Sequence, residues 1–169
     1  MERKTVLHLI DTGGPGGAET IYLNLVAGLD RRRWRSVAVV PTRDWLHGAL
    51  ARRGIEPRVL ASSGAFDARY LLALLGVIRR ERVDLVQAHL LASGVYGSLA
   101  AAIAGIPLVC TFHGVVDVHP SERLRRLKLG ILSRHRNRVV FVSDSLRRAF
   151  HARGDATRAR THVVFNGID

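Results

Sequence analysis

Near its start the chain has the apolar run Val6–Ile10 (VLHLI), and the glycine-rich stretch Thr12–Glu19 (TGGPGGAE) follows almost directly. The apolar run predicts a buried strand, and the glycines predict a sharp turn where no Cβ keeps a ligand away from the backbone. Ile21, Leu25 and Leu29 then recur at helical spacing, which predicts a helix whose free N–H groups and positive dipole end favour an anion. This stretch therefore predicts a phosphate-facing turn at the edge of a parallel sheet.

The rest of the chain alternates between strand-like runs and segments with helical periodicity. Asp67 is suited to cap one of the helices, and Ser143 or Ser145 another. Alternation of this kind predicts right-handed βαβ units and an α/β fold, a doubly wound, mainly parallel Rossmann-like sheet of about seven strands with helices on both faces. The strand-like runs, several of them rich in Val as expected for strands covered on both faces, are Thr5–Ile10, Ser36–Val40, Arg58–Ala61, Asp84–Ala88, Pro107–Phe112, Arg138–Ser143 and His162–Phe165.

The composition restricts the classes of partner. The 169 residues fit one domain with a buried core. The net charge of +12 favours anionic partners such as nucleotide phosphates or anionic lipid surfaces, although an Arg-rich composition is equally a habit of some genomes. The few aromatic residues are scattered and do not interleave with the basic ones, so nucleic acid is not an expected partner. Cys110 is the single cysteine, which excludes an intrachain disulfide and suits a reducing cytoplasm.

One uncharged stretch, Leu90–Phe112, has the length to span a bilayer. It is rich in Ala, Gly and Ser, however, and Gly105-Ile106-Pro107 divides it. This composition predicts a buried helix, a turn and a central strand rather than a transmembrane helix. The first residues show no signal-peptide pattern, and the expected location is therefore cytoplasmic.

Polar residues collect after the predicted strands. In doubly wound sheets, ligands bind beyond the carboxyl ends of the strands, near the point where the strand order reverses. This chain has the glycine turn after the first strand and, after four later strands, His89, His113, Ser143 and Asn166. Because such strand ends meet at one edge of the sheet, we expect these groups to share one site. His8 lies inside the first strand and is expected to be a core residue instead.

The glycine turn does not match the common cofactor motifs. A dinucleotide fingerprint requires a third glycine where this chain has Glu19, and a carboxylate after the second strand where it has Val40-Pro41-Thr42. A P-loop requires Gly-Lys-Ser/Thr after the glycines, which the sequence lacks. Neither a Cys/His spacing typical of metal sites nor a Ser-His-Asp arrangement can be assembled from sequence neighbours. These comparisons with known motifs disfavour both cofactor classes, and a tight turn without a ligand stays an alternative.

Four short motifs occur in a recognisable order: Gly16–Glu19 (GGAE), Thr111–Gly114 (TFHG), Val142–Ser145 (VSDS) and Val164–Asp169 (VFNGID). In this order and placement they resemble the N-terminal half of a glycosyltransferase family 4 enzyme, and the resemblance covers essentially the whole chain. It implies a GT-B architecture, in which two Rossmann-like domains face each other across a cleft. Residues 1–165 would be the N-terminal domain and residues 166–169 the start of the interdomain linker, with the C-terminal donor-binding domain absent.

The resemblance also implies roles for individual residues. In the family, the N-terminal domain mainly binds the acceptor, the other domain binds the nucleotide-sugar donor, and transfer retains the anomeric configuration without a metal. The glycine turn, here Gly16 and Gly17, approaches the donor diphosphate, and the histidine after the fifth strand, here His113, lies near the reacting sugar and acceptor. His89 is a second candidate on the acceptor side, although a histidine at a strand end often bonds only the backbone. Further cleft-edge candidates, some of which can equally be helix caps, are Glu19, Ser143 and Asn166.

The resemblance covers only one of the two domains. Without the donor-binding domain and its paired glutamates we expect little or no transferase activity, because stabilisation of the leaving group would come largely from that domain. The expected partners are a nucleotide-sugar, an acceptor that is a glycan, a lipid or a small molecule, and the second domain. A non-catalytic module of the same fold that binds a glycan or nucleotide stays an alternative. Glu19 already weakens a third hypothesis, a NAD-dependent oxidoreductase.

Ser121–Arg136 is a candidate basic amphipathic helix with Leu124, Leu127 and Ile131 on one stripe. Such a helix is suited either to pack its leucines on the sheet or to lie on an anionic membrane. Packing on the sheet is the favoured interpretation, and peripheral contact with the inner face of the membrane stays the alternative.

Overall fold

The structure is a computed structural model that describes residues 2–64, 67–114, 124–152 and 160–167. Its strands form one parallel sheet: β1 (Lys4–Leu9), β2 (Trp34–Val40), β3 (Arg58–Val59), β4 (Leu85–His89), β5 (Leu108–Phe112), β6 (Asn137–Phe141) and β7 (Arg160–Val163). Their order across the sheet is β3-β2-β1-β4-β5-β6-β7. This order confirms the predicted doubly wound α/β fold.

The helices cover both faces of the sheet and produce two cores. On one face Ile10, which follows β1, and Val40 of β2 pack with the helix residues Tyr22 and Leu46. On the other face a larger core forms around residues such as Leu9. The helices that supply these residues are α1 (Gly17–Gly28) and α2 (Trp45–Arg52) on the first face, and α3 (Ala68–Glu81), α4 (Leu91–Ala104), α5 (Arg125–Leu132) and α6 (Asp144–Ala152) on the second.

The strand order reverses between β1 and β4, because β2 and β3 lie on one side of this boundary and β5 to β7 on the other. Across this boundary Leu9 of β1 pairs with Ala88 of β4. On the other side of β4, His89 pairs with Thr111 of β5. The carboxyl ends of β1, β4 and β5 therefore lie side by side at the switch point, where sheets of this kind bind their ligands.

The buried face of α1 differs from the predicted stripe. Ile21 and Leu25 are only half-buried, and Leu29 lies beyond the last helical residue. The reason is that α1 lies over β1 and β2, where the Tyr22 hydroxyl is 3.1 Å from the backbone oxygens of both His8 and Val39. The side chains that this orientation buries are Glu19, Tyr22, Leu23 and Val26.

β1 ends one residue before the predicted Ile10, and three further strands end two residues earlier than their sequence pattern predicts. β3 contains only Arg58 and Val59. β6 ends at Phe141 rather than at Ser143, because the Ser143 hydroxyl accepts a hydrogen bond from the Leu146 N–H (3.1 Å) and thus caps α6. β7 ends at Val163, so that Phe165 lies outside the strand and is 73% exposed.

Other expectations of local structure are confirmed. The stretch from residue 90 to residue 112 consists of α4, a turn at Gly105 (φ +73°) and β5. Asp67 caps α3, because its Oδ1 accepts a hydrogen bond from the Tyr70 N–H at 2.9 Å. His8 is buried as expected, and Cys110 is buried as well. Within the described ranges, the helices are all too short or too polar to cross a bilayer.

The predicted basic helix is shorter than expected and rotated. Residues 121–123 lie outside the described residues, and α5 begins at Arg125. Leu129 and Leu132 are its buried leucines, because Leu132 packs towards Gly94 of α4. Leu124 and Leu127 of the predicted stripe are instead 48% and 50% exposed. Ile131, the third residue of the predicted stripe, is half-buried and packs against the core. The predicted stripe was therefore wrong for Leu124 and Leu127.

The packing of α4 on the sheet leads to a prediction about stability. A Cβ at Gly94 would lie 2.5 Å from Cys110 Sγ and 3.2 Å from Leu132 Cδ2. We expect Gly94→Ala to lower the free energy of unfolding by about 1–3 kcal/mol, since buried neighbours must move to make room. Urea unfolding followed by circular dichroism measures this change.

Gly130→Ala is the matched control, because Gly130 is an exposed glycine inside α5 and a Cβ there would meet no atom of the described residues within 4 Å. Alanine should stabilise this helix by about 0.5–1 kcal/mol relative to glycine. Equal stability changes in the two variants would show that close packing of α4 is not what requires glycine at position 94.

Candidate functional site

The glycine turn is attached to both helices of its face. The Leu46 N–H at the start of α2 donates a hydrogen bond to the Gly13 carbonyl oxygen at 2.9 Å. A Cβ at Gly13 would lie 2.5 Å from Oδ1 of Asp44, so only glycine lets the residue before α2 approach the turn this closely. Packing against α2 therefore fixes the shape of the turn.

Gly16 and Gly17 form the start of α1 and are both exposed. Gly16 is the N-cap residue in an extended conformation, and among the described side chains none caps the helix from this position. The first N–H groups of a helix have no intrahelical partner and carry the positive end of its dipole. The Glu19 carboxylate folds back to Gly16, where it would collide with a Cβ. The turn thus presents backbone donors to solvent with a carboxylate beside them.

The structure brings two of the predicted histidines into direct contact. His89 is the last residue of β4, and His113 follows β5. Nδ1 of His89 lies 2.8 Å from Nε2 of His113, a hydrogen-bond distance. The two rings stack with an interplanar angle of 15° and a centroid separation of 5.0 Å. The predicted main site residue and the second candidate therefore form one unit.

Aromatic packing positions this histidine pair from the side of α1. The ring of Tyr22 meets His89 edge to face at a centroid distance of 5.3 Å and meets His8 in the same way at 6.2 Å. His8, Tyr22 and His89 are all at most 1% exposed. A row of buried rings thus runs from β1 through α1 to the pair at the sheet edge.

Burial keeps the three histidines in their neutral forms. It lowers the pKa of His8 to about 4 and, together with the neighbouring His113 and His8 rings, the pKa of His89 to about 3. Burial also lowers the pKa of His113, and the negative charge of Glu19 partly opposes this. Neutral imidazoles can donate and accept hydrogen bonds at pH 7 but carry no charge there. The pair is therefore equipped to orient hydroxyl groups rather than to attract an anion.

The connection from β4 to α4 is strained next to the pair. Leu90 has φ +73°, a left-handed conformation that is unfavourable for leucine and costs about 1–3 kcal/mol. Its N–H donates to the Thr111 carbonyl oxygen at 3.1 Å, and its own carbonyl oxygen accepts from the Gly94 N–H at 3.1 Å. Both hydrogen bonds fix the direction in which the chain leaves His89. Strain that is retained beside a cluster of polar side chains is typical of functional sites.

A groove of about 480 Å³ opens beside the pair, between α1 and the adjoining strands β5 and β6. Most of its lining is apolar, and it includes Ile21 and Leu25 on the half-buried face of α1. Asn166 also lines it, so two predicted site residues, His89 and Asn166, border the same space. The lining residues are Ile21, Asn24, Leu25, Gly28, His89, Thr111, Val140, Val142, Val164, Phe165, Asn166 and Gly167.

The other predicted site residues have more local roles. Ser143 caps α6, and its hydroxyl lies 3.0 Å from that of Ser145.

Two residues that shape the site, Tyr22 and Leu90, were not predicted from the sequence. Tyr22 was missed because it lies outside the stripe of Ile21, Leu25 and Leu29 from which the helix was predicted, although its face of α1 is the buried one. A leucine gives no sequence signal of a left-handed conformation, since that conformation is dictated by the tertiary hydrogen bonds of its neighbours.

Fold and site together define a Rossmann-like α/β domain whose backbone donors and neutral histidines collect at the switch point of a parallel sheet. The sequence comparison then identifies the family. The chain belongs to glycosyltransferase family 4, whose family model matches residues 15–169. No match was found among curated proteins.

Solved structures agree in fold. The chain is similar to Alr3699/HepE of Anabaena in complex with UDP-glucose, with a TM-score of 0.81, 24% identity and coverage of 98% of this chain and 44% of that one. It is similar to a glycosyltransferase of Rickettsia africae with a TM-score of 0.80, 17% identity and coverage of 100% and 44%. A putative UDP-N-acetylglucosamine 2-epimerase of Listeria monocytogenes matches less closely, with a TM-score of 0.64, 17% identity and coverage of 95% and 44%.

These comparisons identify the family of the chain but not the particular reaction. The chain spans about 44% of the length of each of these three structures. A protein described as a putative epimerase shares the fold with the glycosyltransferases, so the fold alone does not decide the reaction. The family assignment supports a transferase role for the protein.

Proposed function

We propose that this domain is the acceptor-binding half of a retaining glycosyltransferase that transfers a sugar from a nucleotide-sugar donor. The observation that carries the proposal is the juxtaposition of the glycine turn and the His89–His113 pair at the switch point of the sheet. Membership of glycosyltransferase family 4 supports it. The UDP-glucose complex of the Anabaena protein supports a nucleoside diphosphate sugar as donor.

The proposed roles follow from the chemistry of each group. The exposed backbone donors at Gly16 and Gly17 approach the donor diphosphate, since helix N-termini favour phosphate. The neutral ring of His113 orients a hydroxyl of the sugar or of the acceptor at the reacting centre. The carboxylate of Glu19 repels negative charge and thereby limits how closely the donor diphosphate approaches the turn. Asn166 borders the acceptor side of the groove. The proposed reaction needs neither a metal nor a further cofactor.

A second domain is part of the proposal. Residues 1–165 would form the acceptor-binding domain, and a donor-binding domain would follow residues 166–169. The related structures are more than twice as long as the part that this chain matches. The groove beside α1 and the exposed side chains of Val164 (57%) and Phe165 (73%) offer apolar surface that a further domain can cover.

The product of the reaction tests the proposal. This domain joined to a donor-binding domain should transfer a sugar from one member of a panel of nucleotide-sugars, and proton NMR of the product should show the anomeric configuration of the donor. The inverted configuration would refute a retaining mechanism. Tight glycan binding by the domain, without transfer by the joined protein, would favour the non-catalytic binding module.

Peripheral contact with the inner face of an anionic membrane is a further element of the proposal. Leu124 and Leu127 are exposed beside the exposed Arg126 on α5, and such a surface can insert leucines while arginine meets lipid phosphates. The chain should sediment with vesicles that contain anionic lipid, and Leu127→Ser should reduce the bound fraction. Neutral vesicles are the control. No difference between anionic and neutral vesicles would remove the membrane from the proposal.

A further inference from the structure

We propose that Asp11 is a positioning residue of the candidate site. Its carboxylate caps helix α4 from the end of β1 and thereby holds the connection through His89 and Leu90 in its strained shape. This connection carries the ring of His89, which in turn contacts His113. The capping role depends only on contacts within the chain, whereas its consequence for sugar transfer rests on the proposed function.

The register of the sheet places Asp11 beside this connection. Leu9 of β1 pairs with Ala88 of β4. Asp11 and Leu90 each follow two residues further along the chain, and Asp11 is half-buried there. The glycine turn begins immediately after Asp11. One residue is therefore adjacent both to the turn and to the connection that leaves His89.

The N-cap residue of α4 cannot cap the helix itself. This residue is Leu90, whose side chain has no hydrogen-bond acceptor. An N-cap side chain normally accepts a hydrogen bond from the N–H of the second or third helical residue. The third residue of α4 is Ser93, and its N–H donates to Oδ2 of Asp11 at 3.3 Å, across 82 positions of the sequence. A carboxylate also suits the positive end of the helix dipole, so Asp11 supplies from β1 the cap that leucine lacks.

Buried tyrosines restrict the carboxylate of Asp11. Tyr70 of α3 packs edge to face on Tyr96 of α4, with 4.9 Å between the ring centroids, and both rings are buried. Burial raises the pKa of the Tyr70 hydroxyl, and the negative charge of Asp11 raises it further. The carboxylate thus lies near the packed rings of α3 as well as at the first turn of α4.

The cap matters because the connection that follows β4 is strained. Leu90 has φ +73°, a conformation that persists for leucine only where the surroundings determine it. Its N–H donates to the Thr111 carbonyl oxygen at 3.1 Å, and the cap holds the helical turn that follows. Without the cap the first turn of α4 can fray, and Leu90 can return to an ordinary φ. The peptide that joins it to His89 would then rotate and carry the ring away from His113.

Asp11→Ala and Asp11→Asn make a matched pair in the full 169-residue chain. Asparagine keeps an acceptor and caps helices about as well as aspartate, whereas alanine removes the acceptor. Amide hydrogen exchange at Ser93 should become about 5- to 30-fold faster in Asp11→Ala, which is the effect of losing a cap, and should stay near the wild-type rate in Asp11→Asn. NMR cross-peaks between the rings of His89 and His113 should weaken only in Asp11→Ala.

The wild-type chain supplies a measurement that does not depend on whether a variant folds. A positive φ brings the amide and α hydrogens of one residue together, so Leu90 should give a strong cross-peak between them. The Ser93 amide should be protected from exchange. An unprotected Ser93 amide in the wild type, or an unchanged exchange rate in a folded Asp11→Ala, would overturn the inference.

Asp84 provides the control at the opposite edge of the same two strands. Its Oδ2 accepts a hydrogen bond from the Thr5 N–H of β1 at 2.8 Å, and it lies just before β4, away from the switch point. Asp84→Ala and Asp11→Ala therefore both remove a bond between a carboxylate and a backbone N–H. Only Asp11→Ala should disturb the contact between His89 and His113.

A transfer assay on the complete two-domain enzyme separates this inference from the proposed function. Misplacement of a reacting group typically costs about 10- to 100-fold in rate, and we expect a loss of that size in kcat for Asp11→Ala, with KM little changed. Asp11→Asn and Asp84→Ala should stay within about threefold of the wild type, since they keep the geometry of the pair. Equal kcat in Asp11→Ala and the wild type, or an equal loss in Asp84→Ala, would overturn the positioning role. A wild-type enzyme that binds donor and acceptor without transfer, while the NMR results hold, would instead contradict the proposed function and leave the cap in place.

Discussion

His113→Ala should reduce the kcat of sugar transfer by the complete two-domain enzyme by about 10²–10⁴-fold. The ring of His113 lies at the switch point and is hydrogen-bonded to His89. It is also close enough to Glu19 for the carboxylate charge to oppose the lowering of its pKa by burial. Alanine removes the group that orients the reacting hydroxyl while it leaves the sheet intact, because His113 follows the last residue of β5. Nucleotide release under saturating donor measures the loss.

His162→Ala is the control for this prediction. His162 lies on β7, at the far edge of the sheet from the switch point, and is exposed. Its replacement should leave kcat unchanged. A His113→Ala enzyme that retains a substantial part of wild-type kcat, with donor binding intact, would exclude His113 from the reaction.

Acid should destabilise the domain well before its carboxylates titrate, and His8 should account for much of the effect. His8 is 1% exposed, and no hydrogen-bond partner for either ring nitrogen lies within the described residues. Its pKa is about 4 in the folded chain, because burial disfavours the charged ring, and about 6.5 when exposed. The unfolded chain therefore binds a proton more readily than the folded chain between these values.

The direction of the pH dependence follows from this difference. The folded-state pKa is depressed, so the contribution to stability is complete above pH 6.5 and is lost as the pH falls towards 4. A difference of this size corresponds to about 3 kcal/mol over the whole range. Burial shifts the pKa of His89 in the same direction, which adds to the loss.

His8→Leu tests the contribution of His8. Leucine has no titrating group and leaves no unpaired ring nitrogens, so the variant should equal or exceed the wild type in stability at pH 7.5. Between pH 7.5 and pH 5 it should lose about 2 kcal/mol less than the wild type. Urea unfolding at the two pH values measures both quantities. His162→Leu, at an exposed position, should change neither; identical pH dependence in His8→Leu and wild type would contradict the account.

The sequence predicts the fold well because its signals are local. Apolar runs such as those that became β1 and β4 alternate with helical segments, and βαβ handedness then leaves few arrangements. The errors concern which side of a helix is buried. For α1 and α5 the hydrophobic pattern allows more than one face, and the choice depends on distant neighbours such as Val39 for Tyr22 and Gly94 for Leu132.

The candidate site could be predicted in part, again because some of its signals are local in the sequence. Its members follow strands whose carboxyl ends must meet, so His89 and His113 could be named without a structure. Their direct hydrogen bond could not be predicted, because these residues are 24 positions apart and their contact depends on the register in which His89 pairs with Thr111. Buried rings such as Tyr22, which position the pair, give no polar signal in the sequence.

Complementation tests the central claim most directly. The nucleotide released from a nucleotide-sugar would be measured with this chain alone, with a separately produced donor-binding domain alone, and with both together, after donor binding by the second domain is established by calorimetry. The account predicts release only from the mixture, and its loss when the chain carries His113→Ala. Turnover by this chain alone, or a mixture that binds the donor and an acceptor but releases no nucleotide, would contradict it.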